Sequence, residues 1–317
     1  MIITKLIYDN WRAKRRFNSG NFSDSCGSTL ENKSLSESLN YINNVFEDYL
    51  IYSSNTMDNF RGKRILEIGP GDNLGVALKF LVAGAAQVVC LDKFYSKRKF
   101  EQEYELYQAL RAQLDENSKK LFDEAINLKN GIEINSNKLK YIYGISINEA
   151  RNLFNKESFD FIISRAVLEH IYDIDTAFSV MNDFLVSGGY MMHKIDLQDH
   201  KIFSSGEMHP LTFLTIPDFL YRLISKYTSH PNRKLIKYYR QKMIELGYDT
   251  KIFITSVVGE EGEILPHKEA ISFNVDFFQH TLNLIDKIRQ KLSSRFRNIS
   301  NKSLMISGIF LIAKKPK

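Results

Sequence analysis

The sequence predicts an α/β fold built on a doubly wound, mostly parallel sheet of seven strands. Short runs rich in β-branched and aromatic residues alternate along the chain with longer stretches of helical period. The run at 64–68 leads directly into a glycine-rich turn and then a helical pattern, as expected where a parallel sheet opens onto a ligand. No internal repeat is present, which excludes solenoid and array folds.

Each element of this fold has its own segment in the sequence. Strands are predicted at 64–68, 87–91, 139–143, 159–163 and 190–195, and two later strands at 251–258 and 304–313 complete the sheet. Helical patterns cover 74–83, 97–128, 147–154, 175–185 and 273–297. The alternation of strand and helix predicts parallel strands with helices on both faces.

The chain of 317 residues is longer than most single domains, which predicts one core that carries additions. We divide it into an N-terminal helical segment, a Rossmann-like core, a helical insertion, and C-terminal strands with an intervening helix. These parts cover residues 1–60, 61–200, 201–248 and 249–317.

Composition places the chain among globular proteins, with 44% hydrophobic and 25% charged residues. The two cysteines, Cys26 and Cys90, provide neither a disulfide framework nor a paired metal motif. No apolar stretch is long enough for a signal peptide or a membrane span, so we expect a cytoplasmic protein. The net charge is +6, and the segment between 222 and 242 carries seven cations and no acid. Such a segment suits either an anionic partner or a solvated helix face.

The glycine-rich turn has the sequence Glu67-Ile-Gly-Pro-Gly71. Gly69 and Gly71 let the backbone adopt torsions closed to other residues and pass close to a ligand. Asp92 ends the second strand about twenty residues later, where a carboxylate can accept hydrogen bonds from ribose hydroxyls. This arrangement predicts an adenosine-containing ligand, although the loop differs from the G-x-G-x-x-G of dinucleotide sites.

Four segments together resemble the motifs of class I S-adenosylmethionine-dependent methyltransferases, in particular the type-11 group that acts on small molecules and glycans. They are the turn at 67–71, Asp92, the block at 164–171 and the turn at 184–189. The resemblance covers residues 62–195. Asn73 replaces a frequent third glycine, and Ser187 replaces the usual proline of the last turn.

This resemblance implies an S-adenosylmethionine site. Glu67 would meet the amino-acid end of the cofactor, Asp92 its ribose, and residues 144–147 its adenine. The residues assigned to cofactor binding are Glu67, Gly69, Pro70, Gly71, Asp92, Lys93, Ser146, Ile147, Ser164 and Arg165.

Methyl transfer to a hydroxyl requires alignment and removal of a proton, and a histidine with a supporting carboxylate can remove it. His193 is the first candidate for this base and His170 the reserve. The remaining catalytic candidates are Asp196, Asp199 and His200. No metal site is predicted, and a divalent metal held by Glu169-His170 and nearby groups is the alternative. Ala166 stands where some quinone-pathway relatives have a further glutamate for that metal.

The insertion at 201–248 is expected to bind the acceptor through His209, Asn232 and Arg233. Aromatic faces with an amide and a guanidinium suit a small molecule or a sugar, including an anionic one. A nucleic-acid methyltransferase and a non-catalytic cofactor-binding scaffold are the alternatives. A membrane contact through the helical face around Trp11 is less favoured than docking of that helix onto protein. The acceptor, the acceptor atom and the oligomeric state are left open.

Overall fold

The computed structural model describes residues 2–18, 23–24, 30, 33–200, 202–204, 208–228 and 230–317. They form two compact units. Unit one contains the described residues of Phe22–Arg165, Asp175–Met192 and Lys317. Unit two contains those of Met1–Asn21, Ala166–Ile174 and His193–Pro316. Cys26 and Lys201, at the start of the predicted insertion, lie outside the described residues, as do the side chains of Ile2 and Ile3.

The described part of the chain has seven strands of five or more residues. They are β1 (Arg64–Ile68), β2 (Gln87–Asp92), β3 (Leu139–Tyr143), β4 (Phe159–Arg165), β5 (Leu185–Asp196), β6 (Asp249–Val257) and β7 (Ile306–Lys314). Two-residue strands occur at Ser23–Asp24, Tyr95–Ser96, Ile126–Asn127, Glu133–Ile134 and Lys268–Glu269.

The described helices are numbered along the chain. They are α1 (Ile2–Asn18), α2 (Leu35–Ser53), α3 (Gly75–Val82), α4 (Phe100–Ala112), α5 (Glu116–Ala125), α6 (Ile174–Phe184), α7 (Asp218–Ser225), α8 (Ile236–Glu245), α9 (Gln279–Ile288), α10 (Ser294–Arg297) and α11 (Asn301–Met305). Short 3₁₀ helices occur at Met57–Phe60, Ala150–Asn152, Leu168–His170, Thr212–Thr215, Val275–Phe277 and Arg289–Lys291.

In unit one the strands lie in the order β5, β4, β1, β2, β3. Strand β1 pairs in parallel with β2 on one side and β4 on the other, so that Ile65 lies beside Val88 and Phe161. Strand β2 pairs in parallel with β3. Both β1 and β2 are almost wholly buried, as expected for strands with helices on both faces. The predicted parallel α/β class is confirmed.

Local sequence sets where the helices of unit one begin. A capping box begins α2, since the Ser34 amide donates to Glu37 Oε2 at 2.7 Å and the Glu37 amide donates to Ser34 Oγ at 3.3 Å. Asp115 Oδ1 accepts from the amides of Asn117 and Ser118, both at 2.9 Å, and begins α5. The single helical stretch predicted at 97–128 is therefore wrong, because this cap separates two helices.

A cluster of buried phenylalanines holds α2 and α3 on the sheet of unit one. The ring of Phe60 lies 4.9 Å from Phe80 and 4.8 Å from Phe161 of β4, measured between ring centroids. Phe46 of α2 meets the same Phe80 ring at 5.0 Å in an edge-on arrangement. Such pairs add to the stabilisation from burial alone, so α2 is part of the core of this unit.

In unit two the end of β5 is followed by β7, β6 and the short strand Lys268–Glu269. Strands β6 and β7 pair antiparallel, with a bulge around Ser256. Helix α1 packs on α7 through Asn10, whose Nδ2 donates to the Leu223 carbonyl at 3.0 Å and whose Oδ1 accepts from the Tyr227 amide at 2.7 Å. None of the described helices is both long enough and apolar enough to cross a bilayer.

Two predicted helices are shorter or more broken than the sequence pattern indicates. Only Ala150–Asn152 is helical within the stretch predicted at 147–154. The stretch at 273–297 is divided among Val275–Phe277, α9, Arg289–Lys291 and α10. Helices α9 and α10 bury apolar residues, among them Ile285, Ile288 and Phe296, whereas the two 3₁₀ turns bury none.

Candidate functional site

The glycine turn after β1 has the backbone shape that its sequence predicts. Gly69 and Gly71 have φ values of +70° and +75°, which side chains with a Cβ rarely adopt. The Gly69 amide donates to the Leu91 carbonyl at 2.8 Å and ties the turn to β2. Asn73 Oδ1 accepts from the Gly75 amide at 2.9 Å at the start of α3, so Asn73 orders the turn where the resemblance expected a glycine.

Two carboxylates flank this turn in unit one. Glu67 is buried, burial raises its pKa to about 7, and its Oε2 lies 3.4 Å from Cys90 Sγ. Asp92 ends β2 half-buried, and its Oδ1 accepts from the Phe94 amide at 3.0 Å. A buried acid and a partly exposed acid on adjacent strands fit a ligand with a cationic group and hydroxyls.

A buried network that the sequence analysis missed supports the turn from the side of α4. Arg98 Nη2 lies 3.4 Å from the Gly71 carbonyl, and its Nη1 lies 3.3 Å from Glu103 Oε1. The Tyr107 hydroxyl donates to the same Glu103 oxygen at 2.6 Å and accepts from the Leu74 amide at 2.9 Å. These residues belong to no recognisable sequence motif. Their segment shows only the periodicity of an amphipathic helix and the loop that precedes it.

Other predicted cofactor residues in unit one have varied surroundings. Arg165 pairs with Asp48 at 2.7 Å and lies 5.6 Å from the ring centroid of Tyr41, so it contacts α2. The Ser146 hydroxyl donates to Glu149 Oε2 at 2.6 Å and orders the turn after β3. The rest are distributed along the same strand ends: Ile147 and Ser164 are buried, and Pro70 and Lys93 are half-buried.

A second group of polar side chains lies in unit two, where the 3₁₀ turn Leu168–His170 meets the end of β5. Glu169 Oε1 lies 4.0 Å from His170 Nε2 and accepts from the Asp196 amide at 3.3 Å. His200 Nδ1 lies 3.7 Å from Asp196 Oδ2, and the rings of His170 and His200 are 4.9 Å apart. We call Glu169, His170, Asp196 and His200 the acid–histidine cluster. The structure thus brings together three predicted catalytic residues and Glu169.

Exposure differs sharply within the acid–histidine cluster. The side chain of Glu169 is 1% exposed, whereas those of His170, Asp196 and His200 are 28%, 35% and 34% exposed. Burial is the first cause that raises the pKa of Glu169 well above its ordinary value, and the Asp196 charge adds to it. Glu169 Oε2 has no hydrogen-bond partner among the residues the structure describes. The cluster therefore offers accessible histidines beside a buried acid whose protonated form is favoured.

The same cluster has donors suited to a metal ion. One ligand atom from each of Glu169, His170 and His200 lies within 4.8 Å of the others. Imidazole nitrogens and a carboxylate oxygen suit several divalent transition metals. This geometry is the structural basis for the metal alternative.

His193 does not belong to the acid–histidine cluster. It is fully buried in β5, and burial lowers its pKa to about 3. A histidine that is neutral throughout the physiological range and closed to solvent is poorly placed to take a proton from an acceptor. Asp199 is also buried, and its carboxylate accepts from the Phe203 amide at 2.8 Å and the Ser204 hydroxyl at 2.5 Å. These contacts assign Asp199 to ordering of the chain after β5.

The three residues predicted to bind the acceptor make hydrogen bonds within unit two. His209 Nε2 lies 2.8 Å from the Leu284 carbonyl, and its Nδ1 accepts from the Leu211 amide at 3.0 Å. Asn232 Nδ2 donates to the carbonyls of Leu168 and Ile171 at 2.8 and 3.0 Å, which clamps the turn that carries Glu169 and His170.

Arg233 is the most buried of the three. It is buried, donates to the Phe213 and Ile216 carbonyls, and pairs with Asp218 at 2.5 Å. Its guanidinium lies 3.8 Å from the ring centroid of Tyr221. Polar side chains in an insertion can brace the insertion itself as well as bind a substrate, and the sequence pattern does not separate these uses.

Comparison with known proteins identifies the family. A family model described as a methyltransferase domain matches residues 43–246. The chain belongs to this methyltransferase domain family. The match includes the glycine turn, Asp92 and the acid–histidine cluster, and it confirms the predicted family. A search of curated proteins found no match.

Solved structures with a similar fold include phosphoethanolamine N-methyltransferase 2 of Haemonchus contortus in complex with S-adenosyl-L-methionine. The identity is 16% and the TM-score 0.45, over 86% of this chain and 53% of that one, so this chain spans about half of its length. The YcgJ protein of Bacillus subtilis is 13% identical, with a TM-score of 0.42 over 88% and 99% of the two chains. A Thermotoga maritima S-adenosylmethionine-dependent methyltransferase is 12% identical, with a TM-score of 0.39 over 87% and 97%.

Proposed function

We propose that this protein transfers the methyl group of S-adenosylmethionine to a hydroxyl of a small molecule or a glycan. The observation that carries the cofactor part is the pairing of the positive-φ glycine turn with Glu67 and Asp92 in a chain of the methyltransferase domain family. The bound cofactor supplies an electrophilic methyl group on a sulfonium. The chain must hold it, align the acceptor and accept a proton.

The residues of unit one fit the chemical groups of this cofactor. Glu67 suits its α-ammonium group, because ionisation of a buried acid is favoured when a cation lies beside it. Arg98, half-buried beside the Gly71 carbonyl, suits its carboxylate. Asp92 at the end of β2 suits the ribose hydroxyls. Each pairing matches a charge or donor on the chain with its complement on the ligand.

For the acceptor proton we propose His200 as the general base, with Asp196 as the carboxylate that orients it. His200 is the more exposed histidine of the acid–histidine cluster, and its Nδ1 faces Asp196 Oδ2 at 3.7 Å. The opposite ring nitrogen is then available to a hydroxyl. This proposal replaces His193, whose burial disfavours the role, and keeps His170 as a neighbour that the acceptor contacts.

His200 also has a left-handed backbone with φ +51°, and Ala166, at the start of the segment that carries Glu169, has φ +53°. Such backbones are costly for residues with a Cβ and cluster at functional sites. Their coincidence around the acid–histidine cluster supports the view that this geometry is maintained for function.

A divalent metal at Glu169, His170 and His200 is the second candidate for lowering the pKa of the acceptor hydroxyl. The buried Glu169 carboxyl, with one oxygen lacking a hydrogen-bond partner among the described residues, is the observation that favours it. The acceptor class is proposed as a small molecule or sugar because the family match and the acid–histidine cluster do not require a nucleic acid.

Calorimetry with purified protein tests the cofactor assignment. We expect S-adenosylmethionine to bind and NAD not to bind. Replacing Asp92 by alanine should weaken cofactor binding by roughly 1.5–3 kcal/mol, the range for hydrogen bonds to a charged group. Wild-type protein that fails to bind S-adenosylmethionine, or that binds NAD tightly, would contradict the proposal.

A further inference from the structure

Unit two contains a cavity of about 570 Å³ beside α8, α11 and the segment between α10 and α11. Five residues of α8 line it, Ile236 and four more at positions 237, 240, 241 and 244. The i, i+3, i+4, i+7 spacing of these four places them on one face of the helix. The volume lies within the range of small-molecule sites.

The charged residues that line this cavity are all cations, namely Lys237, Arg240 and Lys302. In the part of the chain that the structure describes, neither Lys237 nor Arg240 has an ion-pair partner. The nearest acid along α8, Glu245, pairs with Lys242 at 3.1 Å and accepts from Gln241 Nε2 at 3.1 Å. The cavity therefore has positive charge that no acid of the lining neutralises.

Two of these cations lie close enough to repel each other. Burial lowers the pKa of Lys302, and the charge of Arg240 lowers it further. Lys302 donates to the Phe273 carbonyl at 3.0 Å, and this hydrogen bond orients its ammonium group. An anion between Arg240 and Lys302 would convert this repulsion into two attractive contacts.

The remaining lining is a mixture of apolar and polar groups. Ile236, Ile244, Ile299 and Ile306 give apolar walls, and Gln241, Asn298, Ser300 and Ser303 give hydrogen-bonding groups. A ligand with an anionic end and an apolar body matches this lining. An inorganic ion alone would make no apolar contact with the isoleucine side chains.

The cavity is separate from the acid–histidine cluster. Tyr239 of α8 is fully buried; burial raises the pKa of its hydroxyl, and proximity to Glu169 contributes. Residues 237 and 241 lie about 200° around the helix from residue 239 at 100° per residue. No residue of the acid–histidine cluster lines the cavity.

We propose that this cavity is a second binding site, for a soluble small molecule that carries a phosphate group beside an apolar or aromatic body. A phosphate offers three acceptor oxygens and up to two negative charges, which suit a guanidinium and two ammonium groups better than a single carboxylate does. The concave shape and the isoleucine walls favour a discrete molecule over a flat anionic surface. The site is independent of methyl transfer.

Phenyl phosphate is a direct probe, measured by calorimetry with the full chain at low ionic strength. Phenol and inorganic phosphate are measured separately, to distinguish the contribution of the aromatic ring from that of the phosphate group. Vesicles of phosphatidylglycerol represent a lipid source of phosphate. The test variant is Lys237→Gln with Arg240→Gln. The matched control is Arg222→Gln with Lys226→Gln, which removes two exposed cations of the same basic stretch that do not line the cavity.

We expect phenyl phosphate to bind the wild type and the control more tightly than phenol or inorganic phosphate does. The test variant should lose about tenfold in affinity for each cation removed, because each contact is a charge-assisted hydrogen bond. Thermal unfolding of both variants should match the wild type, since these side chains are exposed. Equal affinity of the wild type and the test variant would overturn the proposal. Binding to phosphatidylglycerol vesicles alone would overturn it in favour of a membrane surface.

Discussion

His200 Nδ1 lies 3.7 Å from Asp196 Oδ2, and this contact joins the only accessible histidine–carboxylate pair that the described residues place beside His170. The pair lies within four positions of sequence, in the segment that leaves β5. A carboxylate in this position orients the imidazole and stabilises it when it takes a proton. The proposed removal of the acceptor proton depends on this pair.

The first prediction concerns turnover. The change His200→Asn keeps a residue that tolerates the left-handed backbone at this position, so the fold should persist. Loss of general-base assistance should lower turnover by roughly a hundred- to ten-thousand-fold while affinity for S-adenosylmethionine is unchanged. The control is His280→Asn, since His280 is an exposed histidine that also faces a carboxylate, Glu260, at 3.8 Å. Normal turnover of His200→Asn would exclude His200 as the base.

A second prediction separates the base from the metal. Because burial raises the pKa of the Glu169 carboxyl and so favours its protonated form, glutamine can imitate it, and Glu169→Gln should retain turnover within about tenfold. If a metal lowers the pKa of the acceptor hydroxyl, the outcome is different. A metal site needs the ionised carboxylate, so Glu169→Gln would lose both activity and affinity for the divalent metal. Turnover of the wild type in a chelator is the companion measurement. Inactivity in the chelator, with recovery on added metal, would establish the metal alternative.

Glu67 leads to a prediction about pH. Its pKa of about 7 in the free protein means that the carboxyl is mostly protonated below that pH. Pairing with the cofactor ammonium needs the ionised form, so affinity for S-adenosylmethionine should be full above pH 7 and fall by up to about tenfold per pH unit below it. Glu67→Gln should bind weakly with a flatter dependence. Calorimetry in buffers of different ionisation enthalpy should show proton release by the wild type at pH 6, and its absence would refute this role.

His193 leads to a prediction about stability. Its folded pKa of about 3 is depressed from the ordinary value near 6.5, so protons bind the unfolded chain first as pH falls. The stability associated with neutral His193 is complete above pH 6.5 and is lost toward pH 3. Between pH 7 and pH 5, protonation of this histidine in the unfolded chain should lower the free energy of unfolding by about 2 kcal/mol.

The variant His193→Met should lack this part of the pH dependence, and the exposed control His280→Met should keep it. Denaturant unfolding at the two pH values provides the measurement. Identical pH dependence in His193→Met and the wild type would show that His193 is not buried in its neutral form.

The sequence was informative where one residue type has one structural use. The glycine turn, Asp92 at the end of β2 and the parallel strands follow from backbone torsions and buried apolar runs, and each was predicted correctly. It was less informative for polar residues. His193 lies within residues 191–195 of β5, which are buried on both faces of the strand, and the sequence pattern alone does not reveal that burial.

The insertion shows the same limit. Asn232 and Arg233 stand together in a motif that suggested ligand binding, yet one clamps the turn that carries Glu169 and the other braces Asp218 and two carbonyls. Both uses need the same donors, so spacing alone does not distinguish them. Arg98 was missed for the opposite reason, since its link to the Gly71 carbonyl joins segments whose proximity depends on tertiary packing.

The most direct test of the central claim is transfer of a labelled methyl group. The protein is incubated with S-adenosylmethionine bearing a deuterated methyl group and with a pool of hydroxyl-bearing small molecules and glycans, and the products are identified by mass spectrometry. The account predicts a product with one deuterated methyl group on oxygen, formed by the wild type and by His280→Asn and strongly reduced with His200→Asn. Label transferred only to RNA or DNA, or to no acceptor despite cofactor binding, would contradict it.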